Sequence, residues 1–166
     1  MGCSLAVPLE NSDVVANFPA VGRWVVTAFP PGWLFLVGLG IKQMMADGQT
    51  LPASVVLRED VLEAPDTLEI YIAKQARLIQ QYLTAVKLAG PQLTAFHGAE
   101  EGQLLIARHS PEGYESMLQA QTYVRAGNWI GIVTLTTPEA RLRAVRTDYD
   151  AFVRGLRIRG ESHPSP

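Results

Sequence analysis

Cysteine is almost absent from this 166-residue chain: Cys3 is the single one, which excludes an internal disulfide and any cysteine-built metal cage. Charge is also thin. Charged residues make up 18% of the chain and their formal balance is only -2, too weak a field to gather nucleic acid over long range. No uninterrupted apolar run reaches the length of a membrane span. The most hydrophobic stretch, Val21 to Ile41, is broken by Arg23, by Pro30-Pro31-Gly32 and by Gly38 and Gly40, a pattern suited to two strands around a turn. The opening Met1-Gly2-Cys3-Ser4-Leu5 lacks the basic and apolar regions of a secretory leader, so the cytoplasm is the expected compartment. Met-Gly-Cys invites acylation, but Ala6 stands where that pattern wants Ser or Thr.

What the chain has in quantity is core-forming residues. At 48% hydrophobic and 18.1 kDa it has the material for a single domain. We expect an arm over residues 1–20, one domain over 21–160 and a solvated tail over 161–166. Strand patterns run over Val21 to Ala28, Trp33 to Val37 and Ser54 to Arg58, with Gly38 to Pro52 read as a loop turning at Asp47-Gly48. A helix starts near Asp66 or Thr67, with Glu69 placed for a capping box, and runs to Gly90-Pro91 on a stripe of Leu68, Ile72, Ile79, Leu83 and Val86. Four strand-like runs follow, Leu93 to His97, Gln103 to His109, Ser116 to Arg125 and Asn128 to Thr136, joined by short turns as in an antiparallel meander. A second helix is expected from Thr137 with Pro138 at its first position, on a stripe of Leu142, Val145, Tyr149, Phe152 and Leu156, ending at Gly155. This order is an α+β plan, an antiparallel sheet flanked by helices.

Catalytic and metal signatures are missing. Cys3 has no neighbouring base and no Gly-x-Ser-x-Gly elbow occurs; His97, His109 and His163 lie too far apart for a metal signature. Gly38-Leu39-Gly40 lacks the third glycine of a dinucleotide loop, and Glu100-Glu101 reads as a solvated turn rather than an acid pair. The chain is therefore expected to be no enzyme and to need no cofactor or metal. Arg141, Arg143, Arg146, Arg154, Arg157 and Arg159 cluster with Glu139, Asp148 and Asp150; they read as a solvated mixed-sign helix face, with an acidic-partner site as the alternative.

The informative feature is apolar residues on both faces of central strands. Ile130 and Ile132 oppose Trp129, Val133 and Leu135, and Val55 and Leu57 oppose Val56, so both faces of the sheet need cover. On Ser116 to Arg125 the alternation sets Met117, Gln119, Gln121 and Tyr123 against Leu118, Ala120, Thr122 and Val124. The second set is expected to meet the helices. The first mixes amides with Met and Tyr, which fits an apolar peptide with a few hydrogen-bonding groups, or else a solvent-facing strand.

Several short segments carry a resemblance to the DcrB-related, PsbP-like superfamily. They are Phe29-Pro30-Pro31-Gly32-Trp33, Ser54-Val55-Val56-Leu57-Arg58-Glu59-Asp60, Thr67-Leu68-Glu69-Ile70-Tyr71, Gln119-Ala120-Gln121-Thr122-Tyr123-Val124 and Gly131-Ile132-Val133-Thr134-Leu135-Thr136. The resemblance implies an α/β/α sandwich. In its type VI secretion branch it implies a dimeric Eag-type chaperone that holds the hydrophobic amino-terminal helices of an effector, without nucleic acid and without membrane insertion. By that analogy Gln119 and Gln121 bond the client helix while Val56, Met117, Tyr123, Ile130 and Ile132 give it apolar contact. The alternative is a small-ligand or envelope-associated binding module of another PsbP-like branch, marked by a cavity beside the sheet. The long opening over Met1 to Ala20 and the Gly38 to Pro52 loop depart from the family pattern.

Overall fold

Strands apolar on both faces belong at the middle of a sheet, and that is where the computed structural model puts them. It describes residues 18–160. In chain order the elements are β1 (Ala20–Val21), β2 (Trp24–Val26), β3 (Trp33–Leu36), β4 (Gly40–Gln43), β5 (Ser54–Val61), α1 (Leu68–Tyr82), β6 (Lys87–Leu93) and β7 (Glu101–His109). There follow β8 (Met117–Ala126), β9 (Trp129–Pro138), a 3-10 turn (Glu139–Arg141), α2 (Leu142–Gly155) and β10 (Leu156–Ile158). The main sheet has the order β3-β4-β5-β9-β8-β7-β6 with antiparallel pairing throughout, so β9 is central. A small sheet, β1-β2-β10, joins the chain's opening to its end.

Each face of the main sheet has its own core. Under α2 and the small sheet lie Val55, Leu57, Leu118, Ala120, Val124, Trp129, Val133 and Leu135, packed with Trp24, Val145, Phe152 and Leu156. On the opposite face α1 lays Leu68, Tyr71 and Ile72 over Leu105, Tyr123, Ile130 and Ile132. The expected α+β sandwich is present. One expectation about it needs correction: both faces of β8 meet a helix, because α1 covers the Tyr123 side, so much of the surplus apolar surface is enclosed by the chain itself.

Element boundaries moved for identifiable reasons. Val21 to Ala28 is two short strands, since Gly22 turns the chain at a left-handed φ of 58°. Within the expected Gly38 to Pro52 loop, Gly40–Gln43 pairs with β3 and β5; with Ile41 as its only large apolar residue it carries almost no strand pattern. The first helix stops at Tyr82, and Lys87–Leu93 is an edge strand on β7 with a bulge at Gly90-Pro91, so Leu83 and Val86 leave the helical stripe. Thr67, whose hydroxyl accepts from the Ile70 amide at 3.3 Å, caps α1, while Asp66 pairs with Lys74 instead of forming a capping box. Leu93 to His97 is strand only at Leu93. Thr137 and Pro138 pair with Leu118 and Met117 as the end of β9; Pro138 stands at the N-cap of the 3-10 turn with no side-chain cap, and α2 begins only at Leu142. Gly155 does end α2, and Leu156–Ile158 pairs with β2.

The small sheet is tied down by one acid. Glu59 Oε1 accepts from the Arg23 amide at 2.6 Å and from the Trp129 indole at 2.8 Å, and its carboxylate fills the space a Cβ on Gly22 would take. Removing it strands the indole N–H of Trp129, which is only 7% exposed. Glu59→Ala is therefore expected to cost about 1–3 kcal/mol, read as a lowered midpoint in urea. Among the described residues no helix is long and apolar enough to cross a membrane. Cys3, His163, most of the 1–20 arm and the 161–166 tail lie outside the described residues.

Candidate functional site: a cleft between the second helix and the sheet

Seven strands at about 4.8 Å spacing make a sheet roughly 29 Å wide, whereas one helix is about 10 Å across. α2 cannot cover the whole face. Val145 and Phe152 anchor it above the central strands, and the outer strands β6, β7 and β8 keep a cleft of about 580 Å³ beneath its other edge. That volume suits a small-molecule site. Its floor is Leu104, Ile106, Leu118, Ala120 and Leu135; Phe96, Leu142 and Val153 form the walls. The room comes from β8, which presents two small side chains, Ala120 and Thr122, at its middle.

The polar lining comprises the neutral Gln92, Thr94, Thr122 and Tyr149 and the charged Arg108, Arg146, Asp150 and Arg154. Thr122 is the buried polar residue of the floor, and Tyr149 reaches down to it from α2. Burial raises the Tyr149 phenol above its ordinary value, against the opposing influence of the Thr122 hydroxyl, so Tyr149 is a neutral hydrogen-bonding group at any physiological pH. The mouth carries Arg108, Arg146, Asp150 and Arg154. Arg108 is held at 2.9 Å by Glu139, which also accepts from the Ser116 hydroxyl at 2.9 Å; the bonds from Ser116 and Arg108 hold the Glu139 carboxyl below its usual range. Arg146 stands 3.9 Å from Asp150 in a loose, solvated pair. Arg154 has no ion-pair partner among the described residues.

The residues expected to bind a client lie on the other face. Val56, Met117, Gln119 and Gln121 are half-buried there, while Tyr123, Ile130 and Ile132 are 1%, 0% and 2% exposed beneath α1. The last three therefore have no surface to offer while α1 stays in place. Tyr123 is capped edge-on by Tyr71 at 6.1 Å, and burial raises its phenol well above the ordinary value. Its hydroxyl donates to Gln121 Oε1, and Gln121 Nε2 donates to Gln119 Oε1 at 3.2 Å, so the amides form a ladder along the strand. The register sets Gln121 beside Thr134 and Val56, and Gln119 beside Thr136 and Ser54. Leu34, 51% exposed, continues the second row through Lys42.

Other expected features divide between structure and surface. Glu100 and Glu101 both pair with Arg125, and Glu100 also accepts from the Gly127 amide at 2.9 Å, which together with Arg125 holds its carboxyl below the ordinary value. They brace a turn. Arg141 donates to Leu51 O and Gln43 Oε1, Arg157 to the carbonyls of Arg154 and Leu156, and Arg159 to Gly22 O. Half of the arginine cluster is thus structural, and Asp148 accepts from the Trp33 indole at 2.9 Å. Among the described residues no group of three His, Cys, Asp or Glu side chains is placed to hold a metal.

No family model and no curated protein matches the sequence. Solved structures do match the fold. LpqN of Mycobacterium tuberculosis, a protein involved in cell envelope biogenesis, superimposes with a TM-score of 0.65 at 14% identity over 82% of this chain and 83% of its own. The solution structure of CyanoP, the cyanobacterial PsbP of Synechocystis, gives 0.55 at 12% identity over 82% and 86%. The fold is PsbP-like. PA94 of Pseudomonas aeruginosa, a protein of unknown function proposed to be a regulator, gives 0.59 at 24% identity over 70% of this chain and 79% of its own. This PsbP-like fold meets the expectation raised by the short motifs; none of these three proteins bears a DcrB-related or Eag-type name.

Proposed function

We propose that this chain is a non-enzymatic binding module that takes an apolar ligand into the cleft beneath α2. The observation carrying the reading is the cleft itself: a space of small-molecule dimensions floored by Leu104, Ile106, Leu118, Ala120 and Leu135, with the neutral pair Thr122 and Tyr149 at its buried side and the charged lining residues at its mouth. Calorimetric titration with 1-decanol tests it. The expected result is saturable binding at one site with a negative heat-capacity change, the mark of apolar burial. If neither decanol nor any other straight-chain compound binds, the module has no apolar ligand.

A second reading has its own support on the opposite face. There the Gln119–Gln121 ladder lies beside half-buried Met117 and, across Thr134, shares a row with half-buried Val56, a mixed apolar and amide strip that fits a hydrophobic helix. This is the reading of a cytoplasmic dimeric chaperone or adaptor for a type VI secretion effector. It predicts that a hydrophobic amino-terminal effector peptide binds and that Gln121→Ala weakens it several-fold, by about 1 kcal/mol per lost hydrogen bond. Binding of the peptide with Gln121→Ala without effect would remove the strip from consideration.

A further inference from the structure

The mouth of the cleft is positive although the chain as a whole is acidic. Arg108, Arg146 and Arg154 line the opening with two acids, Asp150 and the Glu139 that pairs with Arg108, which leaves one positive charge in excess on a molecule whose formal charge is -2. The three arginines are not equivalent. Arg108 is committed to Glu139 and Arg146 leans towards Asp150, whereas Arg154 has no ion-pair partner among the described residues. Arg154, itself exposed, also lines an adjoining recess with Ala95, Phe96, His97, Val153, Leu156 and Arg157. In that recess Arg157 is occupied in bonds to the carbonyls of Arg154 and Leu156.

We infer that the ligand is a single-chain anionic amphiphile whose apolar chain lies on the floor of the cleft and whose anionic oxygens are met at the mouth by Arg154. The inference rests on the binding role proposed above and adds to it the charge of the ligand. A guanidinium with free donors pairs with a carboxylate or phosphate through two parallel N–H···O bonds, and it does so best where one side is desolvated. Phe96 and Val153 provide that side. Thr122 and Tyr149, both neutral, suit a chain carrying a hydroxyl or carbonyl part-way along but not a charge.

Titrations with decanoate, decyl phosphate, 1-decanol and acetate, below the micelle concentration, separate the possibilities. The two anionic chains should bind about tenfold more tightly than decanol, and acetate should not bind. Arg154→Gln should bring the anionic chains to within about threefold of decanol by removing that pairing. Arg143→Gln, a change on the same helix outside the cleft, should leave every affinity unaltered. Whichever anionic chain binds more tightly identifies the head group. Equal binding of decanol and both anions, or a preference that survives Arg154→Gln, overturns the inference while the apolar binding role stands. Failure of every chain to bind overturns both, and acetate binding as well as decanoate marks an adventitious ion site only.

Discussion

Ala120→Phe is expected to abolish ligand uptake while leaving the fold intact. The Ala120 Cβ points from the middle of β8 into the cleft, and a benzyl group there occupies the floor between Ile106 and Leu135. Excluding about four methylenes of ligand costs about 3 kcal/mol at 0.8 kcal/mol each, which is a loss of more than about 100-fold in affinity. The ring enters space that is open to solvent on one side, so the overpacking penalty seen in closed cores is reduced. Circular dichroism and the melting temperature should change little while calorimetric binding of decanol disappears. Unchanged binding in Ala120→Phe would mean that the ligand sits elsewhere.

Trp24→Ala should produce the largest loss of stability. Trp24 is fully buried, meets Phe96 edge-on at 5.4 Å and Trp129 at 5.3 Å, and donates its indole N–H to Arg58 O at 3.0 Å. Truncating such a residue costs about 3–5 kcal/mol, and for a chain of this size that lowers the melting temperature by roughly 6–20 °C. The consequence reaches the cleft. Phe96 packs on Trp24 and forms a cleft wall, so the variant should also bind ligand more weakly at a temperature where it remains folded. Trp24→Phe keeps the ring contact and loses the hydrogen bond, and should fall between the two. A melting temperature within a degree or two of the parent would contradict the packing described for the small sheet.

Much of the fold was legible because it rests on period-2 alternation. The opposing sets on β8 and β9, and Val55 and Leu57 against Val56, separate in the structure as the sequence pattern predicts. The elements that escaped are those whose stability is supplied by neighbours. β4 pairs with β3 and β5 on its two sides, and Lys87 to Ala89 continues the helix-like pattern of α1 yet is drawn with Lys87–Leu93 onto the edge of β7. Thr137-Pro138 has the chemistry of a helix start, but Leu118 and Met117 extend the ladder past it.

The candidate site was less legible. Apolar pattern identifies faces that must be covered but is silent on how completely one helix covers them. Tyr123, Ile130 and Ile132 therefore looked available until α1 was seen to lie over them. The signal for the cleft was present and small: Ala120 and Thr122 stand between the larger Leu118 and Val124 on that face of β8. Arg154 was within the noted arginine cluster, but only the partners of its neighbours distinguish it.

Intermolecular NOEs between bound decanoate and methyl-labelled protein test the central claim most directly. The account predicts contacts from the chain methylenes to Leu104, Ile106, Leu118 and Val153, with the carboxylate end nearest Arg154. Contacts to Val56, Met117 and Leu34 instead, on the far side of the sheet, would contradict it.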